Sequence, residues 1–354
     1  MRLVAPKIYI AFRKVFGDEG KKGIPISFLY AALGLSGGNE IYDTTTVNHT
    51  LPQLEGRIVP LTKNFYFTNT YTKIAATLLL YLFVVISGVI ALPADSWSLA
   101  GADVAIYNDT SYSSGGSWVT GITAIKGMLS YYGYTYEDVT PTDINNVSNL
   151  NSLYKMIIVG GGWAGGYNTY VNHSGFDNIR NFVNNGGAYF GICAGAYFAS
   201  RVVMFKEEYP SPINYYEYPL GLFGGVSLGA IVHIMGWNTP TGCSSATIAK
   251  GATMTAINVD KSVLPNVNSS LSILYYGGPF FIPLPSQAVK TVATYQSVGA
   301  PSDGYAAMIM FKYGNGKIFL SGPHPEISFS NCSFWYDINT WTLMKDVIAQ
   351  LIGK

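Results

Sequence analysis

A mixed α/β fold with a mostly parallel sheet is predicted for residues 102–352, and three observations predict it. Short apolar runs typical of buried strands alternate from residue 103 onward with stretches that have the apolar spacing of helices. Glycines follow several of the apolar runs, and one cysteine stands directly after such a run. Alternation of this kind indicates right-handed βαβ crossovers, with helices on both faces of the sheet. Active residues of such folds gather beyond the carboxyl ends of the strands.

The first part of this fold is the clearest in the sequence. Strands are predicted at 103–107, 134–139, 154–159 and 188–192, and helices at 121–131, 176–183 and 194–204. Ser174 is expected to cap the helix at 176–183.

The second part is less regular. The segment 206–220 is rich in Tyr and Pro and is predicted to be a loop, and 273–279 is predicted to be a strand that runs into a glycine turn. Strands at 306–311 and 317–321 are expected to form a hairpin around Asn315-Gly316, because this dipeptide favours the positive φ angles of a tight turn. A terminal helix is predicted at 341–351.

The composition provides ample material for a core and few charges. Charged residues make up 12% of the 354 residues, the formal net charge is +1, and there are 27 tyrosines. This balance gives no reason to expect a nucleic-acid partner. A polar surface built from uncharged side chains suits a secreted or cell-surface protein.

The three cysteines are Cys193, Cys243 and Cys332. They show no Cys-x-x-Cys or Cys/His cluster with the spacing of a zinc site, so no metal is expected. No other cofactor is expected either. In an oxidising location, a Cys243–Cys332 disulfide and a free Cys193 would be the simplest partition, although spacing does not establish connectivity.

The N-terminal part is predicted to be membrane-associated. Residues 1–73 are expected to be a weakly structured cytoplasmic segment, and 74–92 form an uncharged apolar run long enough to span a bilayer. Lys63 and Lys73 before this run and Asp95 after it predict a cytoplasmic N-terminus, which puts the domain outside. A secretory signal segment cleaved after residue 94 would also export the domain, which would then be secreted. A buried core helix is the third interpretation of 74–92.

Cys193 is the candidate nucleophile. It stands in the sequence Gly191-Ile192-Cys193-Ala194-Gly195, between a predicted strand and a predicted helix. This is the cysteine form of the Gly-x-Ser-x-Gly turn that exposes a nucleophile at the end of a strand. The alternative is an inert buried cysteine, which is common in protein cores.

His324 and Glu326 are the candidate base and its orienting carboxylate. They lie in Gly322-Pro323-His324-Pro325-Glu326, directly after the second hairpin strand. A thiol nucleophile needs an imidazole held in one tautomer, usually by a carboxylate on its other nitrogen. Two residues of separation on a proline-stiffened segment can provide that contact locally.

The glycine run Gly160-Gly161-Gly162 is the candidate oxyanion-binding turn. It follows the strand at 154–159, and glycines can present bare N–H groups to a developing negative charge. We assign Gly161 and Gly162 to this role, with the N–H of Ala194 as a second donor. The glycines could instead be ordinary turn residues. The aromatic residues expected to line a pocket are Trp163, Tyr167, Tyr197 and Tyr276.

Taken together, these stretches resemble the class I glutamine amidotransferase-like superfamily. The runs at 191–197, 275–279 and 322–326 are most similar to the domain at the N-terminus of eukaryotic biotin–protein ligases. The resemblance covers 102–352 and implies a flavodoxin-like three-layer α/β/α sandwich with a Cys193–His324–Glu326 triad. It does not imply biotin ligation, because the sequence lacks a Gly-Arg-Gly-Arg adenylate-binding stretch.

The function expected from these features is that of an exported, membrane-anchored cysteine hydrolase with a Cys–His–Glu triad. Its partners would be a small amide or peptide-like substrate and, through 74–92, the membrane. The alternative is a non-catalytic cell-surface binding module that uses the same fold and its aromatic loops.

Overall fold

The computed structural model describes residues 99–206, 213–231, 233–235, 251–296 and 304–353. Residues 1–73 and 74–92 lie outside these ranges, and so does Cys243. The cytoplasmic segment, the membrane-spanning run and the pairing of Cys243 therefore stay predictions. Within the described ranges, no helix combines the length and the apolar character that a membrane span requires.

Six α-helices and fifteen strands lie within the described residues. The helices are α1 Val119–Tyr131, α2 Pro141–Asn146, α3 Ala164–Tyr170, α4 His173–Asn184, α5 Ala194–Ala199 and α6 Ile338–Ile352. The strands are β1 Val104–Tyr107, β2 Tyr136–Val139, β3 Met156–Val159, β4 Ala188–Ile192, β5 Ser200–Lys206, β6 Ile213–Glu217, β7 Phe223–Gly229, β8 Thr253–Val259, β9 Ser270–Tyr275, β10 Phe280–Ile282, β11 Val289–Gln296, β12 Ala306–Tyr313, β13 Gly316–Ser321, β14 Ser328–Ser330 and β15 Ser333–Trp335.

The main sheet has two regions of different character. Five strands in the order β2-β1-β3-β4-β13 are all parallel. Beyond β13 the sheet continues through β12, β10, β7, β5 and β6, with β11, β8 and β9 branching from β12, and here only β5 and β7 pair in parallel. The mixed α/β fold is confirmed, and the parallel arrangement is concentrated in the five-stranded region.

Helices cover both faces of the parallel strands. Val104 and Ile106 of β1 point to the face where α1 and α6 pack, in one apolar cluster with residues such as Ile125 and Val347. On the opposite face the ring of Tyr107 packs edge-on against Tyr167 of α3, with 5.1 Å between ring centroids. The period-two alternation of buried side chains along β1 produces these two apolar faces.

The strand order positions the candidate site. β3, β4 and β13 are adjacent and parallel, so their carboxyl ends lie side by side at one edge of the sheet. The register pairs Val159 of β3 with Gly191 of β4, and Ser321 of β13 with Ile192 of β4. The glycine turn, Cys193 and the His324 segment each leave one of these three strands. Three stretches that span more than 160 residues of sequence, from Gly160 to His324, therefore meet at one place.

The helix after Cys193 is shorter than predicted. It ends at Ala199 instead of continuing to Met204, and β5 begins at Ser200. Val202 and Val203 are β-branched, and β-branched residues favour strands. β5 pairs with β7 on one side and with β6 on the other. The predicted loop at 206–220 contains β6, whose pairing with β5 could not be inferred from local sequence.

Two smaller predictions also need correction. Asn172, and not Ser174, caps α4, because its side chain accepts a hydrogen bond from the N–H of Gly175 at 3.0 Å. The β12–β13 hairpin is confirmed, but its positive φ of 57° belongs to Gly314, one residue before the expected dipeptide.

Cys332 is disulfide-bonded and Cys193 is a free thiol.

Candidate active site

The turn between β4 and α5 holds Cys193 in a backbone conformation that is rare for residues with a side chain. Its φ is 50° and its ψ is −104°, and its N–H donates to the carbonyl of Ser321 at 2.8 Å. A non-glycine residue in the left-handed region costs roughly 1–2 kcal/mol, and such strain is concentrated at functional sites. The strand–cysteine–helix junction predicted from the sequence is present, and Cys193 as a residue is only 5% exposed.

His324 and Glu326 form a buried hydrogen-bonded pair. Nδ1 of His324 lies 2.7 Å from Oε1 of Glu326, and the two side chains are almost fully buried. The backbone of this segment is fixed on both sides of the pair. The N–H of His324 donates to the carbonyl of Leu274 at 2.7 Å, and Nε1 of Trp341 donates to the carbonyl of Glu326 at 2.7 Å. The imidazole is therefore oriented by its carboxylate, as the spacing predicts.

The charge environment of His324 favours its protonated form. Burial by itself lowers the pKa of the imidazole, because a buried cation loses its hydration. The negative charges of Glu326 and of the Cys193 thiolate act in the opposite direction and prevail, raising the pKa of His324 to about 10. The imidazole can therefore keep a proton at neutral pH once the thiol has lost its own.

Cys193 and His324 line the same cavity. This cavity has a volume of about 410 Å³, and Trp118 and Tyr276 also form part of its wall. The Cys193 thiol donates to the carbonyl of Tyr276, with 3.5 Å between Sγ and the oxygen. Nε2 of His324 is buried and has no hydrogen-bond partner among the described residues. The nitrogen that a nucleophile or leaving group would need is thus unoccupied.

The glycine turn after β3 has its carbonyl groups tied to the scaffold. The carbonyl of Gly160 accepts the N–H of Gly195 at 3.0 Å, and the carbonyl of Gly161 accepts the N–H of Trp118 at 2.9 Å. The hydroxyl of Tyr167 shares its one proton between both carbonyls, with oxygen–oxygen distances of 3.1 and 3.0 Å. Tyr167 is fully buried under the turn, so the prediction that it lines the pocket is wrong.

The three predicted oxyanion residues differ in position. Gly162 and Ala194 line the cavity wall next to Cys193, and the N–H groups of both make no hydrogen bond to the described residues. Gly161 does not line the cavity. It packs against the imidazole instead, because a Cβ at this position would overlap Cε1 of His324. The structure therefore brings Gly162 and Ala194 to Cys193 and puts Gly161 behind His324.

A second cavity of about 230 Å³ adjoins the first at Cys193. We call it the aromatic cavity; its walls include Trp163, Tyr197, Phe205, Tyr216, Tyr218 and Tyr276. We call the cavity that contains His324 the histidine cavity. Trp163 and Tyr276 line both, as the sequence predicts for a pocket at this edge of the sheet.

Sequence reasoning missed several of these wall residues. Phe205 and Tyr216 come from β5 and β6, which the sequence analysis assigned to a helix end and a loop. Trp118 lies next to His324, with ring centroids 5.4 Å apart and the rings perpendicular. The alternating aromatic pattern at Tyr216 and Tyr218 is a strand signal that could have revealed the wall. In the described part of the chain, no three His, Cys, Asp or Glu side chains converge as metal ligands would.

Comparison with known proteins gives a family and several more distant similarities. Residues 102–351 match the family described as "Biotin-protein ligase, N terminal". The chain is 32% identical over 175 residues to the biotin–protein ligase of Schizosaccharomyces pombe, covering 49% of this chain and 26% of that protein. It is 29% identical over 181 residues to an uncharacterized protein of Chlamydia muridarum, covering 51% of this chain and 63% of that protein. The chain thus spans less than two-thirds of either relative.

Among solved structures, a glutamine amidotransferase is similar with a TM-score of 0.43 and 17% identity, covering 71% of this chain and all of that one. The structure of PurLQS from Thermotoga maritima is similar with a TM-score of 0.44 and 14% identity, covering 70% of this chain and 97% of that one.

Fold and site together define a class of mixed α/β domain that holds a free cysteine between a parallel strand and a helix. Within this class, the chain belongs to the biotin–protein ligase N-terminal family, which its match over 102–351 establishes.

The function expected in the sequence analysis is wrong. An exported membrane-anchored hydrolase, or a cell-surface binding module in its place, is overturned by the family match and by the fission-yeast relative. Both are named for biotin–protein ligase, and neither is named for a membrane hydrolase.

Proposed function

We propose that this domain is a cysteine-dependent acyl-transfer centre of the amidotransferase-like type, serving a biotin-related function. The observation that carries the proposal is the placement of Cys193, in a strained turn, in the same cavity as the unoccupied Nε2 of His324. The buried contact between His324 and Glu326 supports the roles of base and positioning carboxylate. The helices on both faces of the five parallel strands support a flavodoxin-like three-layer arrangement.

The reaction would proceed through a thioester. The Cys193 thiol passes its proton to Nε2 of His324, and the sulfur forms a bond with the carbonyl carbon of the donor. The carbonyl electron pair moves to the oxygen, and its return expels the leaving group, which takes the proton from the imidazolium. An acceptor nucleophile then attacks the thioester, His324 removes its proton, and the thiolate leaves and is protonated again. Each proton and electron pair is accounted for within these groups.

The oxyanion of this reaction would be bound by the N–H groups of Gly162 and Ala194. These are the two predicted donors that line the cavity and have no other partner among the described residues. Losing one such donor typically costs about 3–4 kcal/mol of transition-state stabilisation. Glu326 would hold the imidazole in place without exchanging its own proton, since its contact is to Nδ1.

The smallest activated acyl donor provides a direct test. Full-length protein is mixed with 4-nitrophenyl acetate at pH 7.5, and intact mass spectrometry is used to detect one acetyl group that neutral hydroxylamine removes. We expect the wild-type protein to carry this acetyl group. After tryptic digestion, the acetyl group should be found only on the peptide that contains Cys193. Wild-type and Cys193→Ala proteins that show the same hydroxylamine-sensitive adduct would overturn the proposal.

Two further measurements separate the parts of the proposal. His324→Gln should reduce the rate of thioester formation by about 10²–10⁴-fold, the usual contribution of a general base. The biotin-related role is tested with the 4-nitrophenyl ester of biotin. Transfer of the biotinyl group to Cys193 supports that role, whereas acetyl transfer without any biotinyl transfer counts against it and leaves the thiol chemistry intact.

A further inference from the structure

The two cavities that meet at Cys193 differ in the side chains that line them, and they are therefore suited to different parts of a substrate. They share Gly162, Trp163, Cys193, Phe205, Tyr276 and Gly277, so the sulfur lies where they join. Only the histidine cavity is lined by His324. A leaving group must reach this imidazole to be protonated, so the leaving group and the acceptor belong in the histidine cavity. The acyl group then extends into the aromatic cavity.

The aromatic cavity offers nothing to pair with a charge. None of the described residues that line it is Asp, Glu, Lys, Arg or His. Its polar groups are backbone atoms, tyrosine hydroxyls, the indole N–H of Trp163 and the Cys193 thiol, all of them uncharged donors or acceptors in their neutral forms. The hydroxyl of Tyr197 already donates to the carbonyl of Gly277 at 3.1 Å. Burial raises the pKa of Tyr218 to about 12, so this side chain also stays neutral.

The remaining polar groups suit a neutral polar atom. The hydroxyls of Tyr216 and Tyr218 make no hydrogen bond to the described residues, and their rings lie 5.8 Å apart between centroids at the cavity wall. Each could donate one hydrogen bond to an uncharged oxygen of a bound group. A free amino acid such as glutamine would instead bring an ammonium and a carboxylate into this cavity, and burying unpaired charges is strongly unfavourable.

We infer that the acyl donor of this site carries an uncharged acyl group with a ring, aromatic or alicyclic, and that free glutamine and other charged acyl donors are excluded. This inference rests on the proposed function, since it assigns the acyl side of the same reaction. The ring of the acyl group packs between Phe205 and the tyrosines of the cavity wall. The carbonyl carbon of the same acyl group lies at Sγ of Cys193.

The test compares donors that share one leaving group. The 4-nitrophenyl esters of acetate, 3-phenylpropanoate and succinate are reacted with the full-length protein, and kcat/KM for Cys193-dependent release of 4-nitrophenolate is measured. We expect 3-phenylpropanoyl to exceed acetyl by about tenfold or more, and succinyl to fall below acetyl. Equal values for the three esters, or a preference for succinyl, would overturn the inference while acetyl transfer keeps the proposed function standing. Failure of all three esters would count against both.

A charge introduced into the wall gives a second, independent readout. Tyr216 is 39% exposed, so the variant Tyr216→Arg can be accommodated in β6 without burying the new side chain completely. We expect this variant to raise the succinyl-to-phenylpropanoyl ratio of kcat/KM by at least about tenfold, because the guanidinium pairs with the succinyl carboxylate. Lys290→Arg, on β11 away from both cavities, is the control and should leave the ratio unchanged. An unchanged ratio in Tyr216→Arg would show that the acyl group does not enter the aromatic cavity.

Discussion

The imidazole of His324 is held by contacts on several sides. Glu326 binds its Nδ1, Trp118 packs edge-on against the ring, and the backbone of Gly161 lies against Cε1. These contacts leave Nε2 as the one ring nitrogen without a partner among the described residues. Orientation of the base is therefore a property of its neighbours, and each neighbour can be altered separately.

Gly161→Ala should displace the base without disturbing the fold. The new methyl group overlaps the imidazole, and the φ of Gly161 is not in the left-handed region, so the backbone itself tolerates alanine. We expect thioester formation to slow by about 10²-fold, the effect of a misplacement of roughly 1 Å. The measurement is the rate of Cys193 acetylation by 4-nitrophenyl acetate.

Gly160→Ala is the matched control for that variant. A Cβ at Gly160 meets only the flexible end of Ile125, at 3.2 Å. Acetylation should stay within a fewfold of the wild-type rate. If Gly161→Ala reacts as fast as Gly160→Ala, the glycine is not needed to position His324.

Glu326→Gln should change the pH dependence of the reaction. Glu326 raises the pKa of His324, so neutralising the carboxylate lowers that pKa and the imidazolium loses its proton at a lower pH. For an acyl donor whose leaving group must take the imidazolium proton, the alkaline limb of the pH–rate profile should move down by at least about one pH unit. Glu137→Gln, which alters a carboxylate bound to Tyr154 on another part of the sheet, should leave the profile where it is. A profile that does not move in Glu326→Gln would remove Glu326 from its positioning role.

At the scale of elements, the site depends on how closely α5 approaches β3. The N–H of Gly195 donates to the carbonyl of Gly160 at 3.0 Å, and there is no space for a Cβ between Gly195 and Val159. This contact ties the turn that holds Cys193 to the turn that holds Gly162. The two proposed oxyanion donors are thereby fixed relative to each other.

Gly195→Ala should therefore destabilise the protein. The methyl group must push backbone against backbone, and overpacking of this kind costs about 1–3 kcal/mol. Chemical denaturation monitored by tryptophan fluorescence should report this loss in the free energy of unfolding. Gly224→Ala on β7 is the control, since a Cβ there makes only ordinary contacts beyond 3.4 Å. Equal stability of the two variants would contradict the close packing of α5 on β3.

The elements that the sequence predicts well are those whose local pattern decides them. β4 has the predicted bounds, because its apolar run is flanked by glycines and ends at Cys193. β6 was missed because its main partner is β5, and pairing between strands is a property of two segments and not of one. The end of α5 was misplaced for the same reason, since β5 forms by pairing with β6 and β7.

At the scale of the whole molecule, the candidate site could be predicted because chain topology enforces it. Parallel strands put their carboxyl ends at one edge, so residues after β3, β4 and β13 had to lie near one another once the strand order was right. The walls of the aromatic cavity could not be predicted in the same way. They come from the antiparallel region, where long-range pairing decides which side chains face Cys193. The substrate side of the site is therefore the part that needed a structure.

The His324 pair also links the site to the stability of the molecule. A histidine whose pKa is higher in the folded than in the unfolded protein stabilises the fold fully below its unfolded pKa of about 6.5. That contribution is lost as the pH rises through the folded pKa, which is about 10 for His324 in the wild type. Stability should therefore fall with rising pH across this window.

We expect that fall to be measurable in a Cys193→Ser background, where no thiol proton is exchanged at the site. Glu326 still acts to raise the pKa of His324 there, whereas the contribution of Cys193 is removed, so the fall is expected at a lower pH than in the wild type. The free energy of unfolding should decrease between pH 6 and pH 9.5, with a slope of at most about 1.4 kcal/mol per pH unit for the single His324 proton. In Cys193→Ser/His324→Gln the curve should be flat over the same range, whereas in Cys193→Ser/His173→Gln, which alters the first residue of α4, it should keep its slope. Parallel curves for Cys193→Ser and Cys193→Ser/His324→Gln would mean that Glu326 does not hold a proton on His324. That result would contradict the acid–base part of the proposed chemistry.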